Sequence, residues 1–422
     1  MLAGIMTVAR WDIKQRLRSS KLLAAWLVWV AILTLITLGI VTIAYRGSQY
    51  DPDPSQWGVY SGPTIFGFTV LLVLALSFVI VPVFSASAIV AERESATLAT
   101  LQATPLGPGQ IVGGKLVAAA VVAALFLGGS LPAFGIAVGV GHISWWRALV
   151  CLLVVYFEMV FVCAVALGWS SIVARSLVST VLTYLTVFIL TIGSLILVAM
   201  MGLLVTTEDY EHTWAPSAQQ KDAYAAKLDD YYTAHPVPDG SHPPAPPLDQ
   251  CSWQVSDYPY SHSHMERVWW VLLANPFALV SDAAPLPADA KGDIQAYMQD
   301  SSFDPLAGIA LLTRTARLGD PSTYYDCYTG TTAIGDYGDF YVTANQDGTF
   351  DIERGYYFGD KRVTDPVTRP TSPIGQNPIS MSTPIWPIGL AVHLVIAALF
   401  FWLAVRRVAV PYGQLPKGQR VA

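Results

Sequence analysis

Six long stretches of apolar residues limit what this chain can fold into. Each has at least 21 residues, and Glu158 is the one charged residue within them. An α-helix needs about 20 apolar residues to cross the roughly 30 Å hydrocarbon core of a bilayer. One such stretch could be a buried helix of a soluble protein, but six predict a multi-span membrane protein. They cover residues 22–44, 64–91, 116–140, 148–170, 176–205 and 385–405.

The distribution of Lys and Arg predicts the orientation, because basic residues concentrate in cytoplasmic segments. Twelve lie before the first stretch, after the second, after the fourth and after the sixth. The two short segments on the opposite side hold only Arg46 and Arg147. We therefore expect both chain ends in the cytoplasm.

Residues 206–383 are then expected on the outer side. They carry 24 Asp and Glu against 10 Lys and Arg, a charge that could attract cationic ligands or serve solubility alone. The patterns predict a short helix over 304–318, a β-hairpin turning at 346–348, and a helix over 265–280 at the outer membrane interface. The prediction for this segment is an α+β domain.

The predicted fold class is therefore an all-α membrane protein with six transmembrane helices. An N-terminal amphipathic interfacial helix over residues 2–20 precedes the first, with Arg10, Lys14 and Arg18 on its basic face. A large α+β extracytoplasmic domain is inserted between helices five and six. The predicted divisions are 1–21, 22–205 with a cytoplasmic loop at 92–115, 206–383, 384–405 and a cytoplasmic tail at 406–422.

The four cysteines fit this topology. Cys151 and Cys163 lie inside the fourth stretch, where they are expected to pack. Cys251 and Cys327 lie in the predicted outer domain, where oxidation is possible. We expect them to form a disulfide, and two free thiols are the alternative.

One segment imitates a phosphate-binding loop. Residues 109–115 read GQIVGGK, but Leu116 follows where the loop needs the Ser or Thr that binds Mg²⁺. The segment also leads into a membrane helix, whereas the pattern requires a preceding strand. We therefore predict no nucleotide site and no bound cofactor, and we do not expect this chain to hydrolyse ATP by itself.

Two polar residues lie inside predicted membrane helices. Glu158 is costly to bury in a bilayer, so it is expected to be functional or paired, and His393 is a candidate partner. The alternative is a protonated carboxyl that only bonds a neighbouring helix. In the outer domain, His262 and His264 would need further nearby ligands to bind a metal, so we predict a solvated loop there. No catalytic or metal-binding residue is predicted.

The loop after the second apolar stretch carries a family resemblance. Residues 92–115 read ERESATLATLQATPLGPGQIVGGK, which resembles the signature loop of ABC-2 type transporter permeases, the transmembrane subunits of bacterial ABC exporters. The basic N-terminal helix, the six apolar stretches and the Asn-Pro-Phe segment at 275–277 are also similar. The large outer domain departs from many family members and leaves the substrate open.

The resemblance implies partners and a location. Such permeases pair with an identical or related permease and recruit two ATPase subunits, which bind ATP and Mg²⁺. Membrane lipid is the other expected partner, no nucleic acid is expected, and the implied location is a bacterial plasma membrane. The loop residues implied to couple to the ATPase are Glu92, Arg93, Glu94, Thr104, Pro105 and Leu106.

Other interpretations remain open at this stage. The residues from Glu92 to Glu94 could simply anchor the end of the second membrane helix. The protein could be a membrane-anchored receptor or assembly protein whose outer domain binds a ligand. It could also be an intramembrane enzyme that uses Glu158 and His393.

Overall fold

Helices dominate the part of the chain that the structure, a computed structural model, describes. Among the described residues, six helical spans are long and apolar enough to cross a membrane, which confirms the predicted number. These spans are Ser20–Gly47, Ser61–Glu94, Pro108–Gly129, Trp145–Ile172, Ser176–Leu204 and Trp386–Val408. The described residues are 2–48, 57–95, 97, 105–210, 212–215, 252–255, 259–286, 303–318, 323–325, 340–344, 350–358, 361–366 and 383–410, with isolated positions between 217 and 234.

Twelve α-helices lie in the described ranges, together with a π-helical turn at Ile189–Gly193 and two 3₁₀ turns at Met265–Arg267 and Trp269–Ala274. The helices are α1 (Leu2–Leu17), α2 (Ser20–Gly47), α3 (Trp57–Ser85), α4 (Val90–Glu94), α5 (Pro108–Gly129), α6 (Leu131–Gly141), α7 (Trp145–Ile172), α8 (Ser176–Phe188), α9 (Ser194–Leu204), α10 (Pro276–Ala283), α11 (Pro305–Leu318) and α12 (Trp386–Val408).

The described strands form three small sheets. β1 pairs with β4, β2 lies between β3 and β5, and β7 lies between β6 and β8. The predicted hairpin is present as the antiparallel pair β6 and β7, with Ala344 opposite Phe350. The strands are β1 (Thr206–Asp209), β2 (His212–Ala215), β3 (Ser252–Val255), β4 (Tyr260–Ser263), β5 (Thr323–Tyr325), β6 (Phe340–Ala344), β7 (Phe350–Phe358) and β8 (Lys361–Pro366).

The chain divides into two compact units. The helical unit contains Met1–Val198, Trp269–Arg314 and Pro384–Ala422, and the second unit contains Ala199–Val268 and Thr315–Thr383. Residues from the predicted outer segment therefore occur in both units.

Helix α7 lies at the centre of the helical unit. Its residues Val155, Met159 and Leu167 are fully buried, and it packs against α3, α5, α8 and α12. By contrast, α2 and α12 expose apolar side chains such as Leu35 and Leu394. Exposed leucines of this kind suit helices that contact lipid, because lipid tails are as apolar as leucine.

The third apolar stretch differs from its prediction. We expected one helix that begins near Gln110 and continues through 116–140; the helix does begin there, at Pro108, but it breaks at Ser130. The Ser130 N–H and hydroxyl both donate to the Leu127 carbonyl, at 3.0 and 2.6 Å. Pro132 follows in the first turn of α6, where its missing N–H costs no hydrogen bond. The break therefore yields a second, shorter apolar helix.

The helix predicted over 265–280 is also different. It is interrupted at Asn275, with 3₁₀ turns before that residue and α10 after it. Leu279 and Val280 are fully buried in the helical unit. This part of the segment therefore packs into the helices instead of lying along a surface.

Two glycines allow α3 and α6 to pack backbone against backbone. A Cβ added to Gly141 would lie 2.7 Å from the Gly62 Cα, and a Cβ on Gly62 would overlap the Gly141 carbonyl. Close approach at small residues is a common way for membrane helices to associate. A larger residue at either position would force the two helices apart.

We expect Gly62→Ala to lower the thermal unfolding midpoint of the detergent-solubilised protein, because overpacking typically costs about 1–3 kcal/mol. The matched control is Gly135→Ala on α6, where an added Cβ meets nothing within 4 Å. That control should be neutral or slightly stabilising, because Ala is favoured over Gly in a helix by about 0.5–1 kcal/mol. Equal midpoints for the two variants would contradict the close packing.

Candidate functional site

The short helix α4 forms the end of the second span and carries the three charged residues singled out from the sequence. Its first turn is fixed on α7, because the N–H groups of Ile89 and Val90 both donate to the Ser170 hydroxyl at 3.0 Å. We name Glu92, Arg93 and Glu94 the α4 cluster. Successive residues of a helix point about 100° apart, so the three side chains leave α4 in different directions.

Arg93 binds the end of α7. Its side chain is buried, and its guanidinium donates to the carbonyls of Ser171 and Val173 at 3.1 and 3.2 Å. The last carbonyls of a helix lack partners within the helix and carry its partial negative charge. A guanidinium is therefore well suited to this position, and it joins α4 to α7.

Glu94 binds the start of α8. One carboxylate oxygen accepts from the Ser176 N–H at 2.9 Å and from the Ser176 hydroxyl at 3.3 Å. An acidic group at a helix N-terminus satisfies a free N–H and meets the positive end of the helix dipole. Glu94 therefore joins α4 to α8.

Glu92 binds α5. Its carboxylate forms an ion pair with the ammonium group of Lys115 at 2.5 Å, and the Lys115 side chain is 2% exposed. Lys115 is the last residue of the segment that imitates a phosphate-binding loop. The structure gives this lysine a carboxylate partner within the protein.

The two glycines before Lys115 also have a packing role. A Cβ on Gly114 would lie 2.5 Å from the Val8 Cβ, so α1 lies directly against α5 here. Arg16 of α1 donates to the Phe84 carbonyl at the end of α3, at 2.7 Å. The predicted N-terminal helix is thus present and packs beside the α4 cluster, while its placement at a membrane surface stays a prediction.

The other predicted coupling residues are only partly described. Pro105 is exposed, and Leu106 packs on a small apolar cluster that includes Ile89 and Ile111. Thr104 lies outside the described residues, as do 96 and 98–103. Cys251 and Cys327 lie outside them too, so their pairing stays a prediction, whereas Cys151 and Cys163 are buried in α7 as free thiols.

Glu158 and His393 meet inside the bundle. Both are fully buried, and His393 Nδ1 lies 2.9 and 3.0 Å from the two carboxylate oxygens. The Phe161 ring stacks on the imidazole with a centroid distance of 4.2 Å. His393 Nε2 lies 3.1 Å from the Ala274 carbonyl. The pair therefore connects α7, α12 and the chain just before Asn275.

The hydrogen-bond geometry suits a pair without net charge. A carbonyl only accepts, so the His393 Nε2 that faces Ala274 is the donor in that contact. One further proton, shared between Nδ1 and the Glu158 carboxyl, is enough to form their hydrogen bond. An imidazolium with a carboxylate and a neutral imidazole with a carboxylic acid both sum to zero. Burial of the pair therefore avoids the cost of an uncompensated charge in the membrane.

Asn275 secures the neighbouring segment. Its amide donates to the Thr191 carbonyl in the π-helical turn and to the Ser194 hydroxyl, both at 2.9 Å. Its side-chain oxygen accepts from the first N–H groups of α10 at 2.9 and 3.2 Å. The contacts of Asn275 were not predicted, although Asn followed by Pro is a recognisable helix start.

Two buried aspartates, whose contacts were not predicted from the sequence, each bind an arginine with one carboxylate oxygen and backbone N–H groups with the other. Asp282 binds Arg314 with one oxygen at 2.6 Å, and its other oxygen accepts from the N–H groups of Ile385 and Trp386 at the start of α12. Asp304 binds Arg147 at 2.5 Å and caps α11 with its second oxygen. The Asp304-Pro305 pair was the sequence signal for this helix cap.

The chain matches the family described as ABC-2 family transporter protein over residues 6–221, which is half of its length. It therefore belongs to that family and is an ABC-2 type permease. A comparison with curated proteins gave no match.

Family membership establishes the general class of this protein and the kind of subunits with which it associates. The chain is a multi-pass membrane protein and the membrane component of an ABC transporter. Such a permease is not itself the ATPase, and the family implies association with ATPase subunits and often with another permease.

We expect Glu92→Gln and Lys115→Met each to lower the thermal unfolding midpoint, because removal of one partner from a buried ion pair typically costs about 3–5 kcal/mol. The double variant should lose less than the sum of the two single losses. Thermal denaturation of all four proteins in one detergent measures this non-additivity. Strictly additive losses would show that the two side chains do not interact.

For the intramembrane pair, we expect Glu158→Gln to keep a midpoint close to that of the wild type, because a neutral amide can still donate to His393 Nδ1. His393→Leu should be less stable by about 1–3 kcal/mol, since it leaves a buried carboxyl without its partner. The double variant with leucine at both positions should recover part of this loss. A lower midpoint for Glu158→Gln than for His393→Leu would contradict the neutral pair.

Proposed function

We propose that this chain is the transmembrane permease subunit of an ATP-binding cassette exporter that couples to separate ATPase subunits through the loop at 92–115. The observation that carries the proposal is the α4 cluster. Its three consecutive side chains bond α5, α7 and α8, and the segment implied to meet an ATPase follows directly. A displacement of α4 would therefore act on three membrane helices together.

The burial of Arg93 refines the role of these residues. With 2% of its surface exposed, Arg93 has little area left for contact with a partner. We propose that the α4 cluster transmits movement within the permease, and that the direct contact with the ATPase lies in the following residues up to Leu106. Glu158 and His393 remain candidates for a role in transport.

The membrane orientation is part of the proposal. The bias of Lys and Arg supports cytoplasmic chain ends and a cytoplasmic α4, in a bacterial plasma membrane. Residues 206–383 would then contain an extracytoplasmic α+β domain. A second permease, identical or related, completes the proposed dimer, and ATP with Mg²⁺ binds only on the ATPase subunits.

The test is co-purification of the intact chain with co-expressed ATPase subunits, followed by an ATPase assay. We expect Arg93→Met to retain the bound ATPase but to lose most of the permease-dependent change in ATP hydrolysis, because the hydrogen bonds to α7 are gone. Thr97→Trp, a bulky change at an exposed position three residues after the end of α4, should instead weaken binding. The matched control is Arg46→Met, an exposed arginine at the end of α2, which should change neither.

The outcomes separate this proposal from its rivals. Wild-type protein that binds no ATPase would favour a membrane-anchored receptor or assembly protein. An Arg93→Met variant with unchanged coupling would remove the α4 cluster from the mechanism. Turnover of a substrate without ATP, lost in Glu158→Gln, would favour an intramembrane enzyme.

A further inference from the structure

Three potential metal ligands meet at the end of strand β4. His262 lies in the strand, His264 follows it, and Glu266 lies in the 3₁₀ turn behind them. One ligand atom from each side chain lies within 4.8 Å of the other two. All three residues belong to the second compact unit. The spacing of two agrees with an extended chain, in which alternate side chains point to the same face.

The geometry around these side chains is well defined. The solvated loop predicted from the sequence is wrong for His262, because this residue lies in β4 and is 4% exposed. Its ring centroid lies 4.7 Å from that of His264. His264 Nε2 lies 2.8 Å from the Thr207 hydroxyl, and His264 Nδ1 lies 2.8 Å from Glu266 Oε1. The hydrogen bond to Thr207 restricts the orientation of the His264 ring, which is a common feature of histidines that bind metals through their other nitrogen. An ion at Nδ1 would replace the hydrogen bond between Nδ1 and Glu266 Oε1, so that both atoms become its ligands.

The second oxygen of Glu266 is the feature that calls for a ligand. Oε2 is buried and has no hydrogen-bond partner within the described part of the chain. Buried polar atoms are rarely left without a partner, because the loss of water is costly. A cation held between this oxygen and the two imidazoles would satisfy it.

The donor set identifies the class of ion. Two imidazole nitrogens and one carboxylate oxygen are typical ligands of Zn²⁺, whereas Ca²⁺ and Mg²⁺ take oxygen ligands. Zinc lies about 2.0–2.2 Å from such atoms in a tetrahedral arrangement, so two ligands of one ion are about 3.3–3.6 Å apart. Ligand atoms that now lie within 4.8 Å of one another would therefore approach by about 1.5 Å or less as the ion binds.

We propose that His262, His264 and Glu266 bind a transition-metal ion of the Zn²⁺ class and that this ion joins β4 to the turn that follows it. Three protein ligands leave a coordination position for water or another donor. Because the ion binds the folded chain, it stabilises the folded state by mass action. The site is independent of ATPase coupling, so it stands or falls separately from the proposed transport function.

The experiment uses the full-length protein in detergent, purified without a histidine tag and treated with a chelator. Titration with Co²⁺ should give the visible absorption of a cobalt site with nitrogen and oxygen ligands, saturating at one ion per chain. Zn²⁺ should displace the cobalt and raise the thermal unfolding midpoint. Glu266→Gln keeps the size of the side chain and should weaken Zn²⁺ binding by at least about tenfold. Even the loss of a residue that only hydrogen-bonds a metal ligand typically lowers metal affinity by about 10–100-fold.

The matched control is His142→Asn, a change at an exposed histidine outside the site. His142 has a positive φ of 50°, which asparagine tolerates better than most residues. This control should bind Co²⁺ and Zn²⁺ as the wild type does. If metal-free Glu266→Gln unfolds at the wild-type temperature and binds Zn²⁺ with wild-type affinity, the proposal is overturned. The proposal is also overturned if the wild type binds no more ion than the double variant His262→Ala, His264→Ala.

Discussion

A polar group inside a bilayer has no water to bond, so a buried polar side chain is costly unless it finds a partner within the protein. This constraint makes the polar contacts informative. Glu158 and His393 join α7 to α12, and His393 extends the contact to the backbone of Ala274. Asn275 joins the same segment to the π-helical turn. Each contact thus identifies two segments that must move together or separate at a cost.

The α4 cluster shows how a helix of five residues can join three longer ones. Glu92, Arg93 and Glu94 are consecutive, and their partners lie on α5, α7 and α8. Two of the contacts use the ends of helices, where the carbonyl or N–H groups lack partners within the helix. A conformational change that separates these helices must break or replace these bonds. A partner that binds one arrangement more tightly than the other would drive such a change.

The sequence predicted the number of spans, the helix over 304–318 and the β6–β7 pair, because length and local pattern determine these elements. It could not predict the break at Ser130 or the fold of the segment around Asn275, because both depend on contacts between distant parts of the chain. The candidate site, too, could be predicted only in part. Glu92 was found through a resemblance of the surrounding loop, but nothing in the spacing indicated that its partner is Lys115, since sequence does not show which helices are neighbours.

Helix α7 connects the polar contacts into one system. It has 28 residues, so it is about 42 Å long. Arg147 in its first turn binds Asp304, Glu158 near its middle binds His393, and the carbonyl of Ser171 in its last turn binds Arg93. A continuous helix resists bending because each of its hydrogen bonds would have to deform. A shift imposed at the Arg93 end would therefore reach the Glu158 pair and the Asp304 contact along a single element, without a series of loosely packed side chains between them.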